Sequence, residues 1–173
     1  MLQVNQEINN NSIKAIKVFP YRVIKRINLP DTINFFILHE GLISLFNNEL
    51  LEKDYDDLID DCSSNAKILA EFCNNKSIGG WLGITDKYWL TAIVPEKNSE
   101  FKAEFVAKNE KYRANYIIKN PKILNPGSSI KNEVKAFVAA KEVAVIDDYA
   151  EKLNIEKFDL AIDWGIMFFF TKP

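Results

Sequence analysis

Residues that could perform chemistry are few in this chain of 173 residues. The single histidine, His39, stands beside Glu40, and a histidine next to a carboxylate has the composition of an acid–base pair. Adjacent residues of a strand point to opposite faces, so these two side chains cannot easily serve one site. We therefore predict a structural role for His39 rather than a catalytic one.

A group of five aspartates is the second candidate, because closely spaced carboxylates can bind a cation. A calcium loop needs oxygen ligands at alternating positions, a glycine at the sharp turn and a closing glutamate. Neither the glycine nor the glutamate is in place here, which favours a solvated acidic edge. The aspartates are Asp54, Asp56, Asp57, Asp60 and Asp61.

The two cysteines, Cys62 and Cys73, have neither a C-x-x-C spacing nor a metal-binding one. A disulfide could form between them in an oxidising compartment, but spacing alone cannot establish the geometry, so both states stay open. The sequence also lacks a nucleophile elbow, a Walker loop, a dinucleotide-binding glycine motif and an H-E-x-x-H motif. We predict a protein that is not an enzyme and has no catalytic residues, cofactor or metal.

Composition excludes several other classes. Hydrophobic residues make up 47% and charged residues 27%, a balance that folds rather than stays disordered. The formal net charge is −2 and basic residues are scattered among acids, so we predict no nucleic-acid partner. The longest uncharged stretch, Ser77–Thr85, has nine residues, whereas a membrane-spanning helix needs about 20.

Alternation of apolar and polar residues at every second position predicts the elements that position these groups. It indicates eight to ten short strands without crossover helices, which favours an all-β antiparallel sandwich over residues 12–141. Two hairpins are predicted, one turning at 85–87 and one at Asn109–Glu110, and further strands over 66–72 and 130–140. Side chains expected in one core are Trp81, Tyr88, Trp89, Phe105 and Val138.

The period changes near the end of the chain. Over residues 142–154, apolar side chains fall on one helical face, and Asn154 is a plausible stop signal. Residues 158–173 then form an aromatic segment that is too short to cross a bilayer. We predict a membrane-proximal anchor there, and a final buried strand or helix stays open as the alternative. The anchor residues are Trp164, Ile166, Met167, Phe168, Phe169 and Phe170.

Two segments together resemble one known family. Residues 79–95 read GGWLGITDKYWLTAIVP, and residues 158–173 read FDLAIDWGIMFFFTKP. Both closely resemble the large periplasmic domain of YidC, the bacterial membrane protein insertase family. Supporting segments follow in the expected order: VFPY at 18–21, LHEG at 38–41, AAKEV at 139–143 and IDDY at 146–149. The resemblance runs from about Ser12 to Pro173.

The resemblance implies a single domain, residues 1–173, that is the C-terminal part of a β-supersandwich similar to galactose mutarotase. The family places this domain on the periplasmic face of the bacterial inner membrane, between the first and second transmembrane helices. Implied partners are the Sec translocon including SecD and SecF, nascent membrane proteins, and a lipid surface at the C-terminal end. A non-catalytic interaction domain that assists insertion and folding of inner-membrane proteins is therefore expected. The alternative is a carbohydrate-binding or sugar-modifying sandwich.

The same resemblance carries an expectation about the sheet edges. Strands of the family's domain that precede this segment are missing from the chain, so unpaired backbone groups would be exposed at an edge. Such edges invite pairing between chains, and we expect self-association in isolation.

Overall fold

Asparagine turns fold this chain into antiparallel hairpins. Asn47 and Asn48 both have positive φ, as do Asn109 and Glu110, and two such residues in a row give the tight turn that matches the twist of paired strands. The computed structural model describes residues 2–29, 39–63 and 71–162. Within these residues the predicted hairpin at Asn109–Glu110 is confirmed.

The described residues form twelve strands and two α-helices, with short 3-10 helices at Glu71–Cys73 and Phe158–Ala161. The helices are α1 (Tyr55–Asp61) and α2 (Val143–Leu153). The strands are β1 (Leu2–Asn9), β2 (Ile16–Val18), β3 (Tyr21–Ile27), β4 (Gly41–Phe46), β5 (Glu49–Asp54), β6 (Asn74–Ile78), β7 (Trp81–Thr85), β8 (Trp89–Val94), β9 (Glu100–Lys108), β10 (Lys111–Ile118), β11 (Lys122–Leu124) and β12 (Ser129–Ala140).

Two sheets form the sandwich. The larger has six strands in the order β1-β12-β8-β7-β4-β5, and the smaller has four in the order β3-β10-β9-β6. Strands β11 and β2 make a separate two-stranded ribbon. Every strand pair is antiparallel, so the predicted all-β antiparallel sandwich with a C-terminal helix is confirmed.

Central strands of the six-stranded sheet are buried on both faces. One face packs against the four-stranded sheet through residues such as Leu82, Ile93 and Phe105. The other face packs against α2 and the Phe158–Ala161 turn, which we call the helical layer. Strands β4 and β7 are therefore buried at every position and show no polar alternation, as expected where neither face meets water.

Three of the five predicted core residues are not in the core. Trp81 and Phe105 are buried as predicted, but Trp89, Tyr88 and Val138 are 60%, 62% and 47% exposed. Alternation places Trp89 and Val138 on the same face as the buried Ile93, toward the four-stranded sheet. That sheet ends at its edge strand β3 and leaves both side chains uncovered, while Tyr88 lies in the β7–β8 turn.

Other boundaries also differ from the prediction. The described residues already form twelve strands rather than the predicted eight to ten, and β1 adds residues before position 12 to the six-stranded sheet. The aspartate group is exposed to solvent as predicted, but most of it forms helix α1, whose apolar residues Tyr55 and Leu58 are buried. In the predicted strand 66–72, residues 71 and 72 begin a 3-10 helix and the remainder lies outside the described residues.

Two outer strands of the sheets expose apolar side chains. Strand β1 is an edge strand, and Leu2 and Val4 on it are 59% and 53% exposed. Strand β3 is an edge of the smaller sheet and exposes Val23 and Ile27. Self-association through such edges stays a prediction.

Candidate interaction surfaces

The helical layer fixes the place from which the aromatic segment leaves the domain. Helix α2 matches the predicted helix 142–154, and Asn154 caps it in the left-handed conformation with φ of 49°. After this cap the chain turns back so that Phe158 is fully buried on the six-stranded sheet. The last described residue is Ile162, which packs against the same cluster.

An aromatic cluster joins the helical layer to the sheet. The rings of Trp81 and Phe158 meet edge to face with centroids 5.2 Å apart, and Phe137 meets Phe158 at the same distance. The indole Nε1 of Trp81 donates a hydrogen bond to the carbonyl oxygen of Glu156 at 3.1 Å. Trp81 therefore satisfies its polar atom and anchors the turn that precedes the C-terminal segment.

The predicted anchor residues themselves lie outside the described residues. These residues are Trp164, Ile166, Met167, Phe168, Phe169 and Phe170. Within the described residues, no helix combines the length and the apolar character that crossing a membrane requires.

His39 has structural contacts. Its Nδ1 lies 2.9 Å from a carboxylate oxygen of Asp54, and its Nε2 lies 2.7 Å from the carbonyl oxygen of Leu42. These contacts connect the segment before β4 to the start of α1. The carboxylate in these contacts is that of Asp54 rather than Glu40, and a structural role for His39 stays a prediction.

The aspartates of α1 do not assemble a cation site. Asp56 and Asp57 lie in the first turn of the helix, where negative charge is favoured by the helix dipole. Among the described residues, no group of three or more histidine, cysteine, aspartate or glutamate side chains could hold a metal ion.

Gly79 and Gly80, with φ of 71° and 96°, form the turn that leads into β7.

A polar contact at one end of the sandwich was not predicted from the sequence. The hydroxyl of Tyr55 in α1 donates to Asp86 at 2.7 Å, and Arg26 of β3 contacts the same carboxylate at 3.3 Å. Burial, together with the bond to Asp86, raises the pKa of the Tyr55 hydroxyl, so this group stays a donor at neutral pH. The three residues are distant in sequence, and only the fold brings them together.

The two cysteines form a disulfide, which resolves the alternative that the sequence left open. Cys62 and Cys73 have Cα atoms 5.5 Å apart, and both are buried in the core between the two sheets. Cys62 ends α1, and its carbonyl oxygen accepts a bond from the amide of Ala107 in β9. The disulfide therefore fastens α1 and the segment before β6 to the same end of the sandwich.

An antiparallel sandwich whose larger sheet is covered on one face by a helical layer defines the class: an all-β sandwich domain with a C-terminal helix. Within this class, the family model of the YidC periplasmic domain matches residues 1–173. The chain belongs to the YidC periplasmic domain family.

Similar proteins carry the name membrane protein insertase YidC. The one from Pelagibacter ubique (strain HTCC1062) is 44% identical over 173 residues, which is the whole chain and 29% of the relative. Those from Rhizobium johnstonii and Methylobacterium sp. (strain 4-46) are 36% and 33% identical, each matching the whole chain and 28% of the relative. The chain thus spans less than a third of the length of these relatives.

The disulfide yields a direct prediction about stability. Cys62 and Cys73 are 11 positions apart in the sequence. Closing a loop of this length lowers the entropy of the unfolded chain, so reducing the bond should lower the free energy of unfolding by about 3 kcal/mol. Urea unfolding followed by circular dichroism, with and without reductant, measures the difference. The control is the double variant Cys62→Ala/Cys73→Ala, whose unfolding should not respond to reductant. A transition of the unmodified chain that is insensitive to reductant, or a mass showing two free thiols after purification from an oxidising compartment, would contradict the assignment.

Proposed function

We propose that this chain is a non-catalytic periplasmic domain of a membrane protein insertase, facing the periplasm at the bacterial inner membrane. Family membership over the whole chain is the observation that carries the proposal. The domain assists the insertion and folding of nascent inner-membrane proteins together with the Sec translocon, including SecD and SecF. We infer that it works by binding, and that the contacts of His39 with Asp54 and with the carbonyl oxygen of Leu42 hold the fold together.

The disulfide supports the periplasmic location. Disulfides persist in oxidising compartments such as the bacterial periplasm and are rare in the cytosol, where thiols are kept reduced. The bond between Cys62 and Cys73 is buried in the core and joins two elements of the fold. A buried structural disulfide is consistent with folding in the periplasm.

Proximity to clients and to the translocon can be tested in a chimaera. This chain would replace the matching residues of the Pelagibacter ubique insertase, which are 44% identical. A photo-reactive residue at exposed Trp89 should form crosslinks to nascent membrane proteins, and to SecD or SecF, during client synthesis. The variant His39→Gln in the same chimaera should insert clients at an unchanged rate, because no chemical step depends on the histidine.

Two outcomes would contradict the proposal. One is a set of crosslinks confined to the insertase itself, and the other is loss of insertion in a folded chimaera that carries His39→Gln.

The C-terminal segment is the proposed contact with lipid. We propose that Trp164, Ile166, Met167, Phe168, Phe169 and Phe170 form an anchor at the membrane surface. The segment follows a helical layer that is fixed to the sheet by Trp81 and Phe158, so its point of departure from the domain is rigid. Aromatic side chains beside a lysine suit the boundary between headgroups and acyl chains.

Liposome flotation tests the anchor. The whole chain should float with vesicles, and a chain ending at Asp163 should stay in the soluble fraction. The tryptophan emission of the whole chain should also shift to the blue when lipid is added, because Trp164 leaves water. The matched control replaces Trp89, an exposed tryptophan of the sandwich, by phenylalanine and should leave flotation unchanged. Equal flotation of the long and short chains, without a blue shift, would show that the segment is not an anchor.

A further inference from the structure

The outer face of the four-stranded sheet concentrates positive charge. Alternate residues of its strands point away from the core, and the pairings β3–β10, β10–β9 and β9–β6 bring these outward side chains onto one surface. We call this surface the basic face. Its basic members are Lys25, Lys76, Lys102, Lys108, Lys111 and Arg113.

The acids on the four strands do not balance this charge. The acidic members of the face are Glu100 and Glu104, so six basic and two acidic side chains give a net charge of +4, in a chain whose total is −2. Both acids are already engaged, Glu104 by Arg113 at 3.4 Å and Glu100 by Lys119. Within the part of the chain that the structure describes, the five lysines of the face make no ion pair.

Apolar side chains are interleaved with the lysines. Val23 and Ile27 of β3 are 47% and 56% exposed, and Tyr21 lies opposite Ile117 of β10 with both partly open to water. All four lie on the paired strands β3 and β10, so the register of the sheet fixes their positions relative to the lysines. A rigid surface that mixes exposed apolar groups with unpaired charge has the composition of a binding surface for a partner of opposite charge.

The shape of the face favours a polypeptide over a lipid surface. Side chains that bind at a membrane interface insert by about 5–10 Å. The apolar residues here are valine, isoleucine and one tyrosine, and longer lysine side chains stand beside them. The lysines would meet the headgroups first and keep the shorter apolar side chains from inserting. Four strands about 4.8 Å apart instead offer a strip that suits an extended polypeptide.

We propose that the basic face binds acidic, extended segments of polypeptide, of the kind that membrane proteins expose on the translocated side. Loops rich in lysine and arginine are retained on the cytoplasmic side, so translocated loops are depleted of positive charge. The aspartates and glutamates of such loops complement a face with a net charge of +4. The proposal rests on the proposed insertase function and names the chemistry of the client segments.

Fluorescence anisotropy with a synthetic probe tests the basic face. The probe is a labelled peptide of about 12 residues that alternates glutamate with valine and threonine, long enough to cross the sheet when extended. We expect it to bind the whole chain and to weaken as salt is added. The triple variant Lys25→Glu/Lys102→Glu/Lys111→Glu should weaken binding about tenfold or more, since it removes three attractions and adds three repulsions.

A matched variant separates the face from net charge. Lys14→Glu/Lys97→Glu/Lys131→Glu makes the same change in charge at exposed lysines away from the face, and it should keep the affinity within about twofold. Equal loss in the two triple variants, or no binding of the glutamate peptide, would overturn the proposal. Vesicles of phosphatidylcholine with about 30 mol% phosphatidylglycerol are the other probe, and their capture by this face without capture of the peptide would overturn it in favour of lipid.

The outcome can be separated from that of the proposed function. Crosslinking in the chimaera and flotation of the C-terminal segment do not use the basic face. If the peptide does not bind, the proposed insertase role is unaffected. If the peptide binds but the chimaera gives no crosslinks, the proposed function is wrong and the binding property of the basic face remains.

Discussion

Burial of the central strands of the six-stranded sheet on both faces is the constraint on which the rest of this structure depends. A sheet of this kind needs a second layer on each side, and the chain supplies the four-stranded sheet for one side and the helical layer for the other. Trp81 is central to the second contact, because it is fully buried, meets Phe158 edge to face and donates to the Glu156 carbonyl. The position of the C-terminal segment follows from this contact.

The remaining surfaces acquire their character from the same arrangement. The inner face of the four-stranded sheet packs in the core, so its outward residues are left for solvent or a partner, and they include all five lysines of the basic face. The disulfide and the contact of Tyr55 with Asp86 hold α1 against one end of the sandwich. The packed layers and the contacts at that end therefore leave the basic face exposed.

Patterns within short stretches of sequence were enough to predict one hairpin and the longer helix. The Asn109–Glu110 hairpin and helix α2 followed from alternation, turn residues and a capping asparagine, and all are present. Exposure of Trp89 and Val138 was not predictable, because alternation gives the face of a strand but not how far the covering sheet extends. Helix α1 was not predicted, because its apolar face consists of only two buried residues, Tyr55 and Leu58, among many aspartates.

The site shows the same division between local and distant information. Resemblance and residue type pointed to the C-terminal aromatic segment and to a structural His39, but spacing could not decide the disulfide, which depends on two cysteines meeting in three dimensions. Lys102 and Lys108 of β9 and Lys111 of β10 stand at positions that alternation assigns to the outward face, so their orientation could be predicted from the sequence. Their convergence with Lys25 of β3 needed the order of strands in the sheet.

The stabilities of two tryptophan variants test the central claim most directly. Trp81→Ala removes a fully buried side chain between the sheet and the helical layer, so it should lower the free energy of unfolding by about 3–5 kcal/mol. Trp89→Ala, in the neighbouring strand but 60% exposed, should cost about 1 kcal/mol or less. Urea unfolding monitored by circular dichroism measures both. Equal losses, or a larger loss for Trp89→Ala, would contradict the account in which the helical layer completes the core of this domain.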